Sequence, residues 1–214
     1  MIMPGVTWSI EEAARADYTS IAVLEDFERY LRVTPIPHPE ADDLEGRVLP
    51  AAIAAAERRT GRSLVTHAWT LLLDRWPCGP VVFPKPPLQV VEEISYRSAD
   101  GTLVTLDAAQ VVAGYQVSAP TGDRATYGRL SPQPPAAWPT VGAGYLDPIR
   151  IAFTAGPADS PVSLAPEILT GVYLMAGELF KQRTLSVHHV HNTPAVIRAR
   201  DLWDGYRPGA LEVG

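Results

Sequence analysis

The sequence predicts an α+β protein: a mostly helical bundle of about four helices, with a small antiparallel β-domain inserted between the second and third. Three observations carry this. Apolar residues recur at spacings of three and four near both ends of the chain, the period of a helix face. Between them lie short, β-branched segments cut by turn signals. Twenty-one Pro and sixteen Gly among 214 residues exceed the usual share of roughly 12%, which confines helices to a few windows and multiplies turns. The resulting division is residues 1–64 as N-terminal helices, 65–155 as the β-domain and 156–214 as C-terminal helices and tail. The two helical parts are expected to form one domain.

Each element follows from local chemistry. Residues 21 to 33, IAVLEDFERYLRV, place Val23, Leu24, Phe27, Tyr30 and Leu31 on one helix face, and the prolines of TPIPHPE stop it. A second helix starts near Glu40, with acids crowding its first turn where they complement the dipole, and Gly61 caps it. Leu44, Val48, Ala52, Ala55 and Ala56 form its inner stripe, and Pro50 should bend it or split off its first turn. In the β-domain, ADGT between ISYRS and LVTLD reads as a type I′ hairpin turn, with Ile94, Tyr96, Leu103, Thr105 and Asp107 marking the alternation. QVVAGYQVSA reads as extended, and PIRIAFTAGP gives a last strand with Ile149, Ile151 and Phe153 on one face.

Helices then resume. LAPEILTGVYLMAGELFKQR carries Pro166 in its first turn and a stripe of Ile168, Val172, Met175 and Leu179, flanked by Leu169, Tyr173, Ala176 and Phe180. The last helix starts with a capping Thr193 and Pro194, and presents Val196, Ala199, Trp203 and Tyr206 on one face.

Composition excludes several classes. A hydrophobic fraction of 46% supports a packed core. No apolar run approaches the roughly 20 residues that span a bilayer, and the N-terminal stretch lacks the basic start and apolar run of a signal peptide. One cysteine, Cys78, rules out an internal disulfide framework and points to a reducing compartment at synthesis. The net charge of −6 argues against broad coating of nucleic acid. It is also unevenly spread: residues 1 to 45 carry ten acids against three arginines, whereas residues 181 to 207 carry five cations against two acids. Ends of opposite sign suit a subunit that meets its own copies, although two solvated helix faces would look the same.

Three of the five histidines, His188, His189 and His191, sit within SVHHVHN. On an extended segment His189 and His191 share a side while His188 points away, and no carboxylate lies between Glu178 and Asp201 to complete a zinc set. The segment therefore reads as a polar loop and not a metal centre. Cys78 in WPCGP has no base nearby in sequence. Glu92 and Glu93 are neighbours on a strand and should face opposite sides. GxxxxGK[ST], GxGxxG after a strand, GxSxG and HExxH are all missing. Trp8, Trp69, Trp76 and Trp138 read as core or rim. No cofactor is expected, and no catalytic residue.

The order of segments carries a resemblance. Thr60, Gly61 and Arg62 end a helix; Trp69 follows on a strand; Pro86 to Tyr96 reads PPLQVVEEISY; Trp138 and Pro139 precede the Ile149 to Gly156 strand IRIAFTAG; and a long helix opens Pro166, Glu167, Ile168. In this order they resemble the head–tail connector (adaptor) family of long-tailed phages, in the version with a β-insertion that also occurs in gene transfer agents. The likeness covers roughly residues 21 to 182 and leaves out the N-terminal 20 residues and the histidine segment.

What the resemblance implies is a structural role without a catalytic step: a ring, usually of twelve copies, beneath the portal protein. Such a ring bridges portal to stopper or tail-terminator protein and lines a channel through which DNA passes without sequence-specific binding. The expected place is the neck of a virion or gene-transfer-agent particle, after synthesis in the bacterial cytoplasm. The C-terminal segment would reach toward the portal, with Arg198, Arg200, Trp203, Tyr206 and Arg207 as interface candidates, because Trp, Tyr and Arg dominate interface energies. Alternatively, Trp203 and Tyr206 pack the helix onto its own subunit. The contrasting reading is a small metal-dependent enzyme in which His67 and the histidine segment converge.

Overall fold

The computed structural model describes residues 6–13, 24–157, 164–181 and 193–209. In chain order the elements are β1 (Trp8–Glu12), α1 (Leu24–Leu31), α2 (Ala41–Asp43), α3 (Leu49–Thr60), β2 (His67–Leu73), β3 (Val81–Val82), β4 (Leu88–Arg97), β5 (Leu103–Asp107), α4 (Ala108–Gly114), β6 (Tyr115–Ser118), β7 (Arg129–Pro132), β8 (Ile149–Ala155), α5 (Pro166–Lys181) and α6 (Pro194–Asp204). The protein is α+β with antiparallel sheets. Its described residues fall into two compact units, one holding 6–13, 66–157 and 209, the other 24–65, 164–181 and 193–208.

In the first unit, five strands form an antiparallel sheet in the order β1-β2-β8-β4-β5, and three more form a second sheet, β3-β7-β6. β8 alternates as its sequence demands: Ile149, Ile151 and Phe153 are buried, Arg150 faces out. These join Leu71, Leu73, Phe83, Leu88, Ile94 and Leu130 in one apolar core, in which the rings of Phe83 and Phe153 lie 4.9 Å apart. Each fully buried large side chain of this kind contributes roughly 1.5–3 kcal/mol. Trp69 is buried, and Trp76 stacks on Trp138 at 4.3 Å at the margin of the core.

Several details depart from the sequence expectations. Residues 8–12 belong to the β unit, where β1 pairs with β2 in the register Trp8↔Leu73 to Glu12↔Trp69. Residues 108–114 are helical, because Asp107 and Gln110 form a reciprocal capping box that starts α4. The β4–β5 hairpin forms, but only Gly101 has positive φ, at 84°. Ser98 and Thr102 close a turn in which Gly101 supplies the left-handed residue, so the turn is not type I′. This longer connection pairs Ile94 with Leu106 and Tyr96 with Val104. Leu103, Thr105 and Asp107 are therefore exposed, the reverse of the expected facing. A bulge at Glu92, between Val91 and Glu93, breaks the alternation and leaves both carboxylates exposed, with Glu92 accepting from the Thr154 hydroxyl.

In the second unit, α5 packs against α1, α3 and α6. The helix expected from Glu40 to Gly61 forms without a gap from Ala41 to Thr60 but widens into a π turn over Leu44–Val48, just before Pro50. That turn relieves the clash of the proline ring with the carbonyl four residues back. It also shifts the buried stripe of α3 to Leu49, Ala52, Ile53, Ala56, Glu57 and Thr60, leaving Ala55 half-buried. Gly61 ends α3 in the left-handed conformation, φ 70°, and its N–H bonds the Glu57 carbonyl. On α1, Phe27 is buried 5.5 Å from the Tyr173 ring, while Tyr30 remains 43% exposed. Burial, with the Asp26 carboxylate second, pushes the Tyr173 hydroxyl above its ordinary pKa.

Candidate functional site

The C-terminal helix α6 and the turn that follows it carry the candidate interface residues, and their chemistry separates them. Thr193 accepts the Val196 N–H and Pro194 opens the first turn, so the helix starts where its sequence says. Val196, Ala199 and Trp203 then face inward and are fully buried. Trp203 reaches α5 over Gly171, where an added Cβ would lie 2.3 Å from the indole nitrogen. That nitrogen donates to the Ile168 carbonyl at 3.1 Å. Tyr206 is 7% exposed and its hydroxyl donates to Glu167 Oε2 at 2.7 Å. Its carbonyl accepts from the buried Arg62 Nε at 2.6 Å. So Trp203 and Tyr206 take the packing reading: both are held inside their own unit. Arg198 and Arg207 are exposed and Arg200 is half-buried, so the cationic part of the set is what α6 and the turn after it direct outward, beside an exposed Ile197.

The acidic N-terminal region is less uniformly acidic at its surface than in its sequence. Glu28 is buried and accepts the His38 N–H at 2.7 Å. Glu25 and Asp26 both pair with Arg29, and Asp43 holds Arg47 through two bonds of 2.7 Å. In α3 and α6, Arg59 pairs with Asp204 at 2.5 Å. Of the other acids in 40–45, Asp42 and Glu45 are exposed, and Glu40 is half-buried with Oε2 3.9 Å from His38 Nδ1.

The second histidine-based reading meets a different geometry. His67 opens β2 with its side chain 1% exposed; its ring stacks on Trp69 at 5.3 Å, and Nδ1 lies 3.3 Å from Glu12 Oε1. Lys85, in a left-handed conformation, sets its ammonium 5.2 Å over the Trp69 ring. This is a packed stack at the sheet margin. Among the described residues no three His, Cys, Asp or Glu side chains converge as metal ligands would. His188, His189 and His191 lie outside the described residues. Cys78 is an exposed free thiol.

Neither a protein-family model nor a curated protein matches the sequence. Solved structures do. A chain in "Virion of native gene transfer agent (GTA) particle" superimposes with TM-score 0.72 at 23% identity, covering 96% of this chain and 98% of that one. A chain in "Neck of empty GTA particle computed with C6 symmetry" gives the same figures. One in "Neck of native GTA particle computed with C12 symmetry" gives 0.66 at 22%, with the same coverage. The fold is that of a gene transfer agent particle chain. At this identity the likeness is one of fold, and it extends over more of the chain than the resemblance over roughly residues 21 to 182 had suggested. What sequence reasoning missed at the site was the partner of Trp203. Its trace was Gly171, one of two glycines in α5 with Gly177.

Proposed function

We propose that the protein is a structural adaptor in the neck of a gene transfer agent or phage particle, forming a ring under the portal. The observation that carries this is the end-to-end match of fold to chains of gene transfer agent necks, over 96% of this chain and 98% of theirs. The C12 symmetry of one of those necks supports a ring of twelve copies. In this reading the helical unit is one body into which the β unit is inserted, and the ring joins portal to stopper or tail-terminator protein. Its role is mechanical and not catalytic. A chain of net charge −6 suits a channel through which DNA must slide, since fixed cations would hold phosphates. Arg198, Arg200 and Arg207 contact a neighbouring protein, and Trp203 and Tyr206 fix the helix that displays them.

Electron microscopy of particles made without the protein tests the role: filled heads lacking tails are expected, and intact tailed particles overturn it. The contact is tested by Arg198→Glu with Arg207→Glu. This variant should keep its thermal unfolding midpoint and lose binding to portal rings in sedimentation; undiminished binding refutes the assignment.

A further inference from the structure

Charge is missing from one part of the β unit. Residues 108–122 and 130–146, 32 positions together, hold no Asp, Glu, Lys or Arg, although 20% of the chain is charged. The two stretches lie side by side. β6 pairs with β7 from Tyr115↔Pro132 to Ser118↔Arg129, the Gln133 N–H bonds the Gly114 carbonyl at 3.0 Å, and the Tyr115 and Trp138 rings are 5.8 Å apart. Much of this surface faces water. Val112 is 68% exposed next to the buried Val111, Val117 and Tyr145 are exposed, and Leu146 is 95% exposed. A surface that keeps large apolar side chains in water and carries no charge has the composition of the centre of a contact between copies.

The patch has two unlike ends. At the turn end of β5 the loop 141–148 is firmly held. Ser98 bridges Val141, the Gly142 N–H bonds the Arg97 carbonyl, and the Arg97 N–H bonds the Pro148 carbonyl, both at 3.0 Å. The Tyr145 ring lies 5.1 Å from the Arg97 guanidinium, and a Cβ on Gly101 would meet its hydroxyl at 2.6 Å. Asp147 then turns the chain with φ 45°. Leu146 is thus a fixed knob beside the exposed Asp147 carboxylate, and docking it costs little further ordering. β5 spans five residues, roughly 15 Å. Beyond its other end, α4 and β6 present Val112 and Val117, with the exposed Arg129 opposite Ser118 in the register. Among the described residues neither Asp147 nor Arg129 makes an ion pair.

We infer that Tyr145 and Leu146 of one copy dock on Val112 and Val117 of the next, with Asp147 facing Arg129. The inference rests on the ring proposed above. Two observations select a second copy as the occupant. Chains of net charge −6 repel when held side by side, and least so through surfaces without charge. A knob bordered by a carboxylate and a floor bordered by an arginine, at different places on one chain, make the heterologous contact that closes a ring.

Two measurements on rings assembled on portal test this contact, with ring formation checked by electron microscopy. In a Cys78→Ser background, which removes the exposed thiol, Leu146→Cys and Val117→Cys are made as separate proteins, mixed, assembled and oxidised. Mixed disulfide dimers are expected. In the second, Asp147→Arg and Arg129→Asp should each keep the thermal unfolding midpoint and raise the concentration for half assembly about tenfold. Both changes in one chain should bring that concentration back. Rings without mixed dimers, single reversals that assemble as readily as the natural chain, or a double reversal no better than either single one overturn the contact and leave the ring reading intact. A natural chain that forms no ring overturns both.

Discussion

The core of the β unit and the contact between α5 and α6 bury apolar surface in different ways. The β unit spreads its core over many large side chains, with Leu71, Leu73, Phe83, Phe153, Ile149 and Ile151 each carrying a share. In the helical unit, where Phe27, Leu44, Ile53 and Ile168 are buried too, α6 meets α5 through one large side chain, Trp203, seated over Gly171. A distributed core degrades gradually as it is altered. A seat shaped for one side chain fails at that side chain. The difference teaches where the sequence is least forgiving: the helix pair that presents Arg198, Arg200 and Arg207, not the larger sheet.

That contrast can be broken by substitution. Trp203→Ala should have the largest effect, about 3–5 kcal/mol, read as loss of amide exchange protection in α5 and α6 while β8 stays protected; equal loss in both units would dissolve the contrast. Gly171→Ala comes next, at about 1–3 kcal/mol, because its methyl would meet the indole at 2.3 Å; urea unfolding of the helical unit measures it. Ile149→Val, in the distributed core, should cost only about 0.5–1.5 kcal/mol by the same method, and a larger loss than Gly171→Ala would reverse the ranking. The smallest effect concerns the β4–β5 turn. The Ser98 hydroxyl, followed by the Thr102 N–H, holds the Asp100 carboxyl below the usual carboxylate range. A depressed carboxylate stabilises the fold above its unfolded pKa and loses that contribution as pH falls through the folded one. The protection of the Thr102 amide, its exchange rate relative to that of an unstructured chain at the same pH, should therefore fall as the solution is acidified below the usual carboxylate range, and Asp100→Asn should remove this loss.

Most of what local periodicity governs was legible. The apolar face of α6, its Thr193–Pro194 start, the alternation of β8 and the Gly61 cap follow from residues within a few positions of each other. What escaped were features decided at a distance or by competing local signals. β1 is extended only because β2, more than fifty residues later, offers an edge to Trp8 and Ile10. Val111 and Val112 speak for a strand, and the Asp107–Gln110 box outweighs them to make α4. The facing of β5 turns on the length of one hairpin turn. The candidate arginines were chosen by residue type, and the division between inward Trp203 and Tyr206 and outward Arg198 and Arg207 needed Gly171 and Glu167 on another helix.

The placement of the five tryptophans has an optical consequence. Four, Trp8, Trp69, Trp76 and Trp138, lie in the β unit, and Trp203 alone reports on the other. An indole sealed from water and bonded to a helix carbonyl emits at shorter wavelength than indoles stacked near a rim. A variant retaining only Trp203 would therefore glow blue while α5 and α6 stay closed, and redden when they part. The natural chain carries its own gauge for whichever docking event strains that helix pair.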